Sequence, residues 1–150
     1  KVGVGHKVFS SPRMVRFTET EWGFPREAGP AALADLLRLA EQRQRFAVNF
    51  PIEVRVTAGD TESMLSPSFG RDTMYLACHM YAGMPWASFF DAVETVAAEY
   101  GARPHWGKRH TLDASALRPL YPQWDAFQEV RARLDPTGVF ANGHVRRVFG

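Results

Sequence analysis

Three observations predict an α+β fold. Stretches that alternate with period two and stretches with helical period follow one another along the 150 residues in the order β-α-β-β-α-β. Both helical stretches carry a single apolar stripe, so both have one face to bury against a common sheet. Glycine and proline mark the joints between the elements.

The first strand is read over Arg13 to Trp22 (RMVRFTETEW), with Val15 and Phe17 on one face and Met14, Arg16 and Thr18 on the other. Gly29 and Pro30 then open a helix, proline standing at a first-turn position where its missing N–H costs nothing. Leu33, Leu36, Leu37 and Ala40 form its stripe. Phe50 to Ala58 alternates as a strand, Ile52, Val54 and Val56 facing one way and Glu53, Arg55 and Thr57 the other. A loop with Gly59-Asp60 and Ser66-Pro67 leads into a strand at Thr73 to Tyr81, which puts Tyr75, His79 and Tyr81 on one face. Pro85 starts a second helix with Phe89, Val93, Val96, Ala97 and Tyr100 in line. Gly101 ends it, and Ala102 to Trp106 makes a short last strand.

This is the ferredoxin-like split unit: an antiparallel sheet with both helices on one face. Beyond it, Asp113 caps a short helix, and Tyr121 to Leu134 makes a longer one with Trp124, Phe127, Val130 and Leu134 inward. Asp135-Pro136-Thr137-Gly138 is a turn, followed by the tail VFANGHVRRVFG. The sheet face away from the helices carries Glu53, Arg55, Tyr75, His79 and Tyr81, and needs solvent or a partner.

Composition narrows the function. A chain this long is one domain, able to bury about 70% of its unfolded surface. A formal charge of +2 is too small for nucleic acid to be the main partner. The single cysteine, Cys78, excludes an internal disulfide and a multi-thiolate zinc site, and its apolar setting predicts a buried, inert thiol. No apolar run approaches the roughly 20 residues of a membrane span. A reducing, cytoplasmic setting fits. The chain opens without methionine on KVGVGHKVF, as though cut from something longer.

Positive charge is concentrated in RPHWGKRH, Arg103 to His110, which gathers five basic residues and no acid. Such a stretch calls for an anion or for negative charge developing on a substrate oxygen. Lys108, after Gly107, is placed to turn into a cleft and stabilise such charge, or else is a solvated loop lysine. Glu53 and Arg55, two apart on one strand, project within about 7 Å of each other. They are either a solvated pair worth about 0.5 kcal/mol or a site wall that orients hydroxyl groups. His79, between Tyr75 and Tyr81, is a proton-transfer candidate or a structural histidine. His105 and His110 lack a carboxylate cluster to complete a metal shell, so no metal is expected. GVG at Gly3 to Gly5 has neither a third glycine nor a helical pattern after it, and Ser66 and Ser68 lack a partnered base.

PHWGK, Pro104 to Lys108, resembles the His-Trp-(Gly/Ala)-Lys signature of the sugar-1,4-lactone oxidases, a family that includes gulonolactone oxidases and dehydrogenases, arabinonolactone oxidase and alditol oxidases. FPIEVR (Phe50 to Arg55) resembles the family's Glu-x-Arg strand. SPSFGRD (Ser66 to Asp72), HMY (His79 to Tyr81), DPTGVFANGHVRRVFG (Asp135 to Gly150) and VFSSPRMVRFTETEW (Val8 to Trp22) are similar to the segments around it. The resemblance implies a vanillyl-alcohol-oxidase-like flavoprotein in which 1–150 is a single substrate-binding or cap domain, FAD being bound mainly by an N-terminal domain absent here. It implies substrate contacts from Glu53, Arg55 and Lys108, with His79 or Tyr81 adding another and His105 and Trp106 shaping the wall. The expected substrate is a sugar lactone or polyol, with hydride passing to flavin and on to oxygen or another acceptor. No residue of this chain is assigned to FAD itself. The expected alternatives are an alditol oxidase cap, a free-standing small-ligand or RNA-binding module, and a dimerising domain.

Overall fold

The structure, a computed structural model, describes residues 2–8 and 14–150. A short helix α1 (Gly5–Val8) precedes β1 (Phe17–Pro25), α2 (Gly29–Glu41), β2 (Glu53–Thr57), β3 (Thr73–Tyr81), α3 (Ala87–Glu99) and β4 (Arg103–Pro104). Three further helices follow: α4 (Ala114–Leu117), α5 (Trp124–Leu134) and α6 (Gly143–Phe149), with a 3-10 turn at Arg118–Leu120. The four strands make one open antiparallel sheet in the order β2-β3-β1-β4.

The sheet is polar on one side and apolar on the other. Trp22 and Phe24 of β1 and Met74, Leu76, Cys78 and Met80 of β3 point to the helix-covered side. There they meet Ala32 and Leu36 of α2 and Phe89, Phe90, Val93, Val96 and Ala97 of α3. Burying each large side chain contributes about 1.5–3 kcal/mol, so this layer dominates the fold's stability. Gly29 starts α2 because nothing larger fits: a Cβ there would lie 2.2 Å from the Met74 sulfur and 2.8 Å from the Met74 Cβ. Cys78 is buried and free, and burial pushes its thiol up to about 12.

A second apolar cluster joins the C-terminal helices to the end of β4. Leu117, Tyr121, Trp124 and Val148 are buried in it, with Trp106, Leu112 and Phe149 packed against them. Asp113 caps α4 by accepting from the Ala116 N–H at 3.1 Å, and Asn142 caps α6 by accepting from the Val145 N–H at 2.9 Å.

Several element bounds differ from the sequence reading. The first strand lies later, at Phe17–Pro25; Arg13 is outside the described residues, and Met14, Val15 and Arg16 are exposed coil. The α2 stripe is Ala32, Leu33, Leu36 and Leu39; Leu37 turns outward, because it stands about 100° around the helix from Leu36, past the edge of the stripe. Tyr121 precedes α5, and Leu134 is 72% exposed beyond the reach of the second cluster. The tail forms α6, and GVG leads into the four-residue α1.

Candidate functional site

The uncovered sheet face is built by β1 as much as by β2 and β3. In the antiparallel register Glu53 aligns with Ala77 and Glu21, Arg55 with Tyr75 and Gly23, and His79 with Glu19. Glu19 and Glu21, alternate residues of an interior strand, therefore lie beneath the side chains expected to meet a ligand. Only 2% of the Glu21 side chain and 10% of Glu19 is exposed.

Both carboxylates are paired. Glu21 Oε1 accepts from Arg55 Nη2, while Arg55 Nε lies 3.5 Å from Glu53 Oε1. Burial pulls the Arg55 guanidinium down, but the charges of Glu21, Glu53 and Glu19 outweigh it, and its pKa is raised. Glu19 accepts from Lys108 Nζ on Oε2 and lies 3.2 Å from His79 Nε2 through Oε1. The expected Glu53–Arg55 pair is thus present, and a second acid outranks it.

Lys108 reaches Glu19 because its loop is pinned to β1 at both ends. The His105 N–H donates to the Glu21 carbonyl at 2.9 Å and the Arg109 N–H to the Glu19 carbonyl at 3.0 Å. Thr20 Oγ1 donates to the Arg109 carbonyl at 2.8 Å. Between these anchors Trp106 is fixed by stacking on Phe149, ring centroids 5.3 Å apart, and by donating from Nε1 to the Leu65 carbonyl at 2.8 Å.

Two clefts open along this face. One, of about 370 Å³, is lined by Glu21, Arg55, Thr57, Pro67, Tyr75, His105 and Trp106. The other, of about 360 Å³, is lined by Phe17, Thr18, Glu19, Gly107, Lys108 and Arg109. The expected site residues divide between them. Arg55, His105 and Trp106 share the first cleft, with Glu53 beside Arg55; Lys108 belongs to the second. His79 is buried against Phe17 and Phe50, centroids 4.9 and 5.1 Å away, and Tyr81 packs on Phe50 at the far end of β3.

The basic stretch of 103–110 does not act as one patch. Arg103 is buried and structural: Nε donates to the Leu120 carbonyl at 2.6 Å, and Nη1 to the Pro67 and Phe69 carbonyls at 3.1 and 2.7 Å. Arg109 lies over the Trp86 ring at 4.9 Å. His110 sits among Trp22, Trp106 and His144, and neither ring nitrogen has a protein partner. Desolvation, with Arg147 and His144 adding like charge, lowers its pKa to about 4. The acid missing from the local sequence is supplied by β1, 89 residues away from Lys108.

Glu19 and Glu21 escaped the sequence reading, yet the signal is there. In TETEWGF, alternation puts Trp22 and Phe24 on one face and both glutamates on the other, while the strand's interior position comes only from its pairing with β3 and β4. Ser68, which lacks a partnered base, is held instead by hydroxyls, those of Thr57 and Tyr75 at 2.9 Å each.

This open-faced, charge-paired sheet belongs to a family of oxidoreductases. The family model described as D-arabinono-1,4-lactone oxidase matches residues 1–148, and the chain is a member of that family. It is 52% identical over 145 residues to an L-gulono-1,4-lactone dehydrogenase of Mycobacterium tuberculosis, covering 97% of this chain and 33% of that protein. It is 35% identical to the L-gulonolactone oxidase of Mus musculus, covering 97% of this chain and 34% of the mouse protein. Similarity to an alditol oxidase of a Streptomyces species is 40% over 101 residues, 63% of this chain and 23% of that enzyme. The chain thus spans about a third of the length of the first two relatives.

Proposed function

We propose that this chain is the substrate-binding part of an FAD-dependent oxidoreductase that oxidises a sugar-1,4-lactone. The observation that carries the reading is the pair of carboxylate clamps, Glu21 on Arg55 and Glu19 on Lys108, at the floor of adjacent clefts. Three carboxylates, Glu19, Glu21 and Glu53, face Arg55, Lys108 and His79. Such a balanced set suits an uncharged, polyhydroxylated ligand, whose hydroxyls both donate and accept. It does not suit a free carboxylate.

Within this reading Arg55 and Lys108 donate to ring and hydroxyl oxygens of the lactone, and Glu53 accepts a hydroxyl proton bond. Glu19 holds the Lys108 ammonium where negative charge grows on the substrate oxygen, and its bond to His79 Nε2 fixes the carboxylate. FAD, when bound, would supply the hydride acceptor. The described residues fit the substrate side of such a centre: Arg55 and Lys108 are already neutralised by Glu21 and Glu19. In this reading FAD is held mainly by a domain outside this chain. We read the strand order as ferredoxin-like, 1–150 as one cap domain, and the setting as the reducing cytoplasm that keeps Cys78 a thiol.

An alditol substrate is the second reading, favoured by the similarity to the Streptomyces alditol oxidase. The complete, flavin-loaded protein separates the two: anaerobic gulono-1,4-lactone bleaches the flavin absorbance if the lactone reading holds, and an alditol does so if the second one holds. Lys108→Ala and Arg55→Ala are each expected to keep FAD content and lower turnover at least about tenfold, about 1.4 kcal/mol. Near-native turnover in both variants removes the site assignment.

A further inference from the structure

We infer that the cleft beside Trp106 is a subsite for the hydroxylated side chain of the lactone, read by a chain of three protein hydroxyls. The inference rests on the sugar-lactone reading and adds which end of the ligand lies where.

Thr57 Oγ1 and Ser68 Oγ are 2.9 Å apart, and Ser68 Oγ and Tyr75 OH are 2.9 Å apart. Three hydroxyls carry three protons, and two bonds between them use two. One proton and spare lone pairs remain for the ends of the chain, Thr57 and Tyr75, and both line the cleft. Either atom of each pair serves as donor, so the chain runs in both directions. A carboxylate ligand requires donors only and an ammonium acceptors only; a reversible chain matches a group that is itself a hydroxyl.

A second, independent observation points to a ligand here. Glu21 lines the same cleft, and while Oε1 holds Arg55, its Oε2 is buried with no protein partner. A buried carboxylate oxygen without a donor is unfavourable, and a ligand hydroxyl would supply the missing bond. Pro67 and the ring of Trp106 give the cleft an apolar wall for the carbon-bound hydrogens of a sugar chain.

The geometry of β1 then orders the ligand. Glu19 belongs to the Lys108 cleft and Glu21 to the Trp106 cleft, and as alternate residues of one strand they stand about 7 Å apart. A lactone ring at Lys108 sends its side chain along β1 into the hydroxyl-lined cleft.

The test uses the complete flavin-loaded protein and two lactones: gulono-1,4-lactone, and erythrono-1,4-lactone, the corresponding ring without the side chain. Wild type is expected to favour gulonolactone in kcat/KM by at least tenfold. In Tyr75→Phe, and in Ser68→Ala as a second, milder break of the same chain, that preference should fall to threefold or less. NMR adds a readout independent of turnover: gulonolactone should shift the Trp106 indole resonance and erythronolactone should not. A wild type that treats both lactones alike, or a preference that survives in both variants, overturns the subsite while leaving the lactone reading in place. Oxidation of neither lactone removes the reading and the subsite together.

Discussion

Replacing Arg103 by lysine tests whether that arginine is a structural tie. Its guanidinium reaches in two directions, to Leu120 through Nε and to Pro67 and Phe69 through Nη1. An ammonium is a single point of charge and can serve one direction only. At least one carbonyl then loses its donor, at about 1–3 kcal/mol each, and the placement over the Tyr121 ring, 5.4 Å away, contributes about 0.5–1 kcal/mol more. The sum is about 3 kcal/mol. For a chain of this size each kcal/mol moves Tm by about 2–4 °C, so Arg103→Lys should melt about 6–12 °C lower. Thermal unfolding followed by near-ultraviolet circular dichroism measures it. A drop below about 1 °C would mean that the three carbonyls find other donors and that Arg103 does not tie the loop, the 3-10 turn and β4 together.

Two further outcomes follow from the packing. His110 has its pKa lowered to about 4 in the fold against 6.5 when free, so the unfolded chain binds the proton more readily between those values. Stability is full above about pH 6.5 and falls as the pH drops toward 4. Because the ring is partly solvated, about half of the full linkage survives, about 1.5 kcal/mol. Urea midpoints at pH 7 and 4.5 measure it, and His110→Phe should flatten that limb. Gly29→Ala forces a Cβ into Met74 and should cost about 1–3 kcal/mol despite alanine's better helix propensity, measured by urea denaturation. An unchanged midpoint would show that Met74 moves aside freely.

Much of the fold was legible because period two and period 3.6 are local signals. β3 and the buried stripe of α3 lie where alternation and spacing place them. The first strand was misplaced because Met14, Val15 and Arg16 imitate a strand, whereas the residues that fix its position are Trp22 and Phe24, read only against the partner strand. Glu53, Arg55 and Lys108 were legible as types in a pattern. Glu19 and Glu21 were not, because their role exists only once β1 lies between β3 and β4. Arg103 shows the converse: local sequence counts it as free charge, and its neutralising dipoles come from residues 17 to 36 positions away.

β2 is the outer strand of the sheet on its side, with no neighbour beyond it among the described residues and all five of its side chains exposed. Arg55 therefore rides on an edge strand, while its partner Glu21 sits on an interior one. Their ion pair fastens that edge as well as shaping a cleft. In the proposed reading a ligand hydroxyl taken by Glu21 Oε2 leaves the Arg55 fastening on Oε1 in place and adds to it, so occupancy of the cleft and order of the edge rise and fall as one equilibrium.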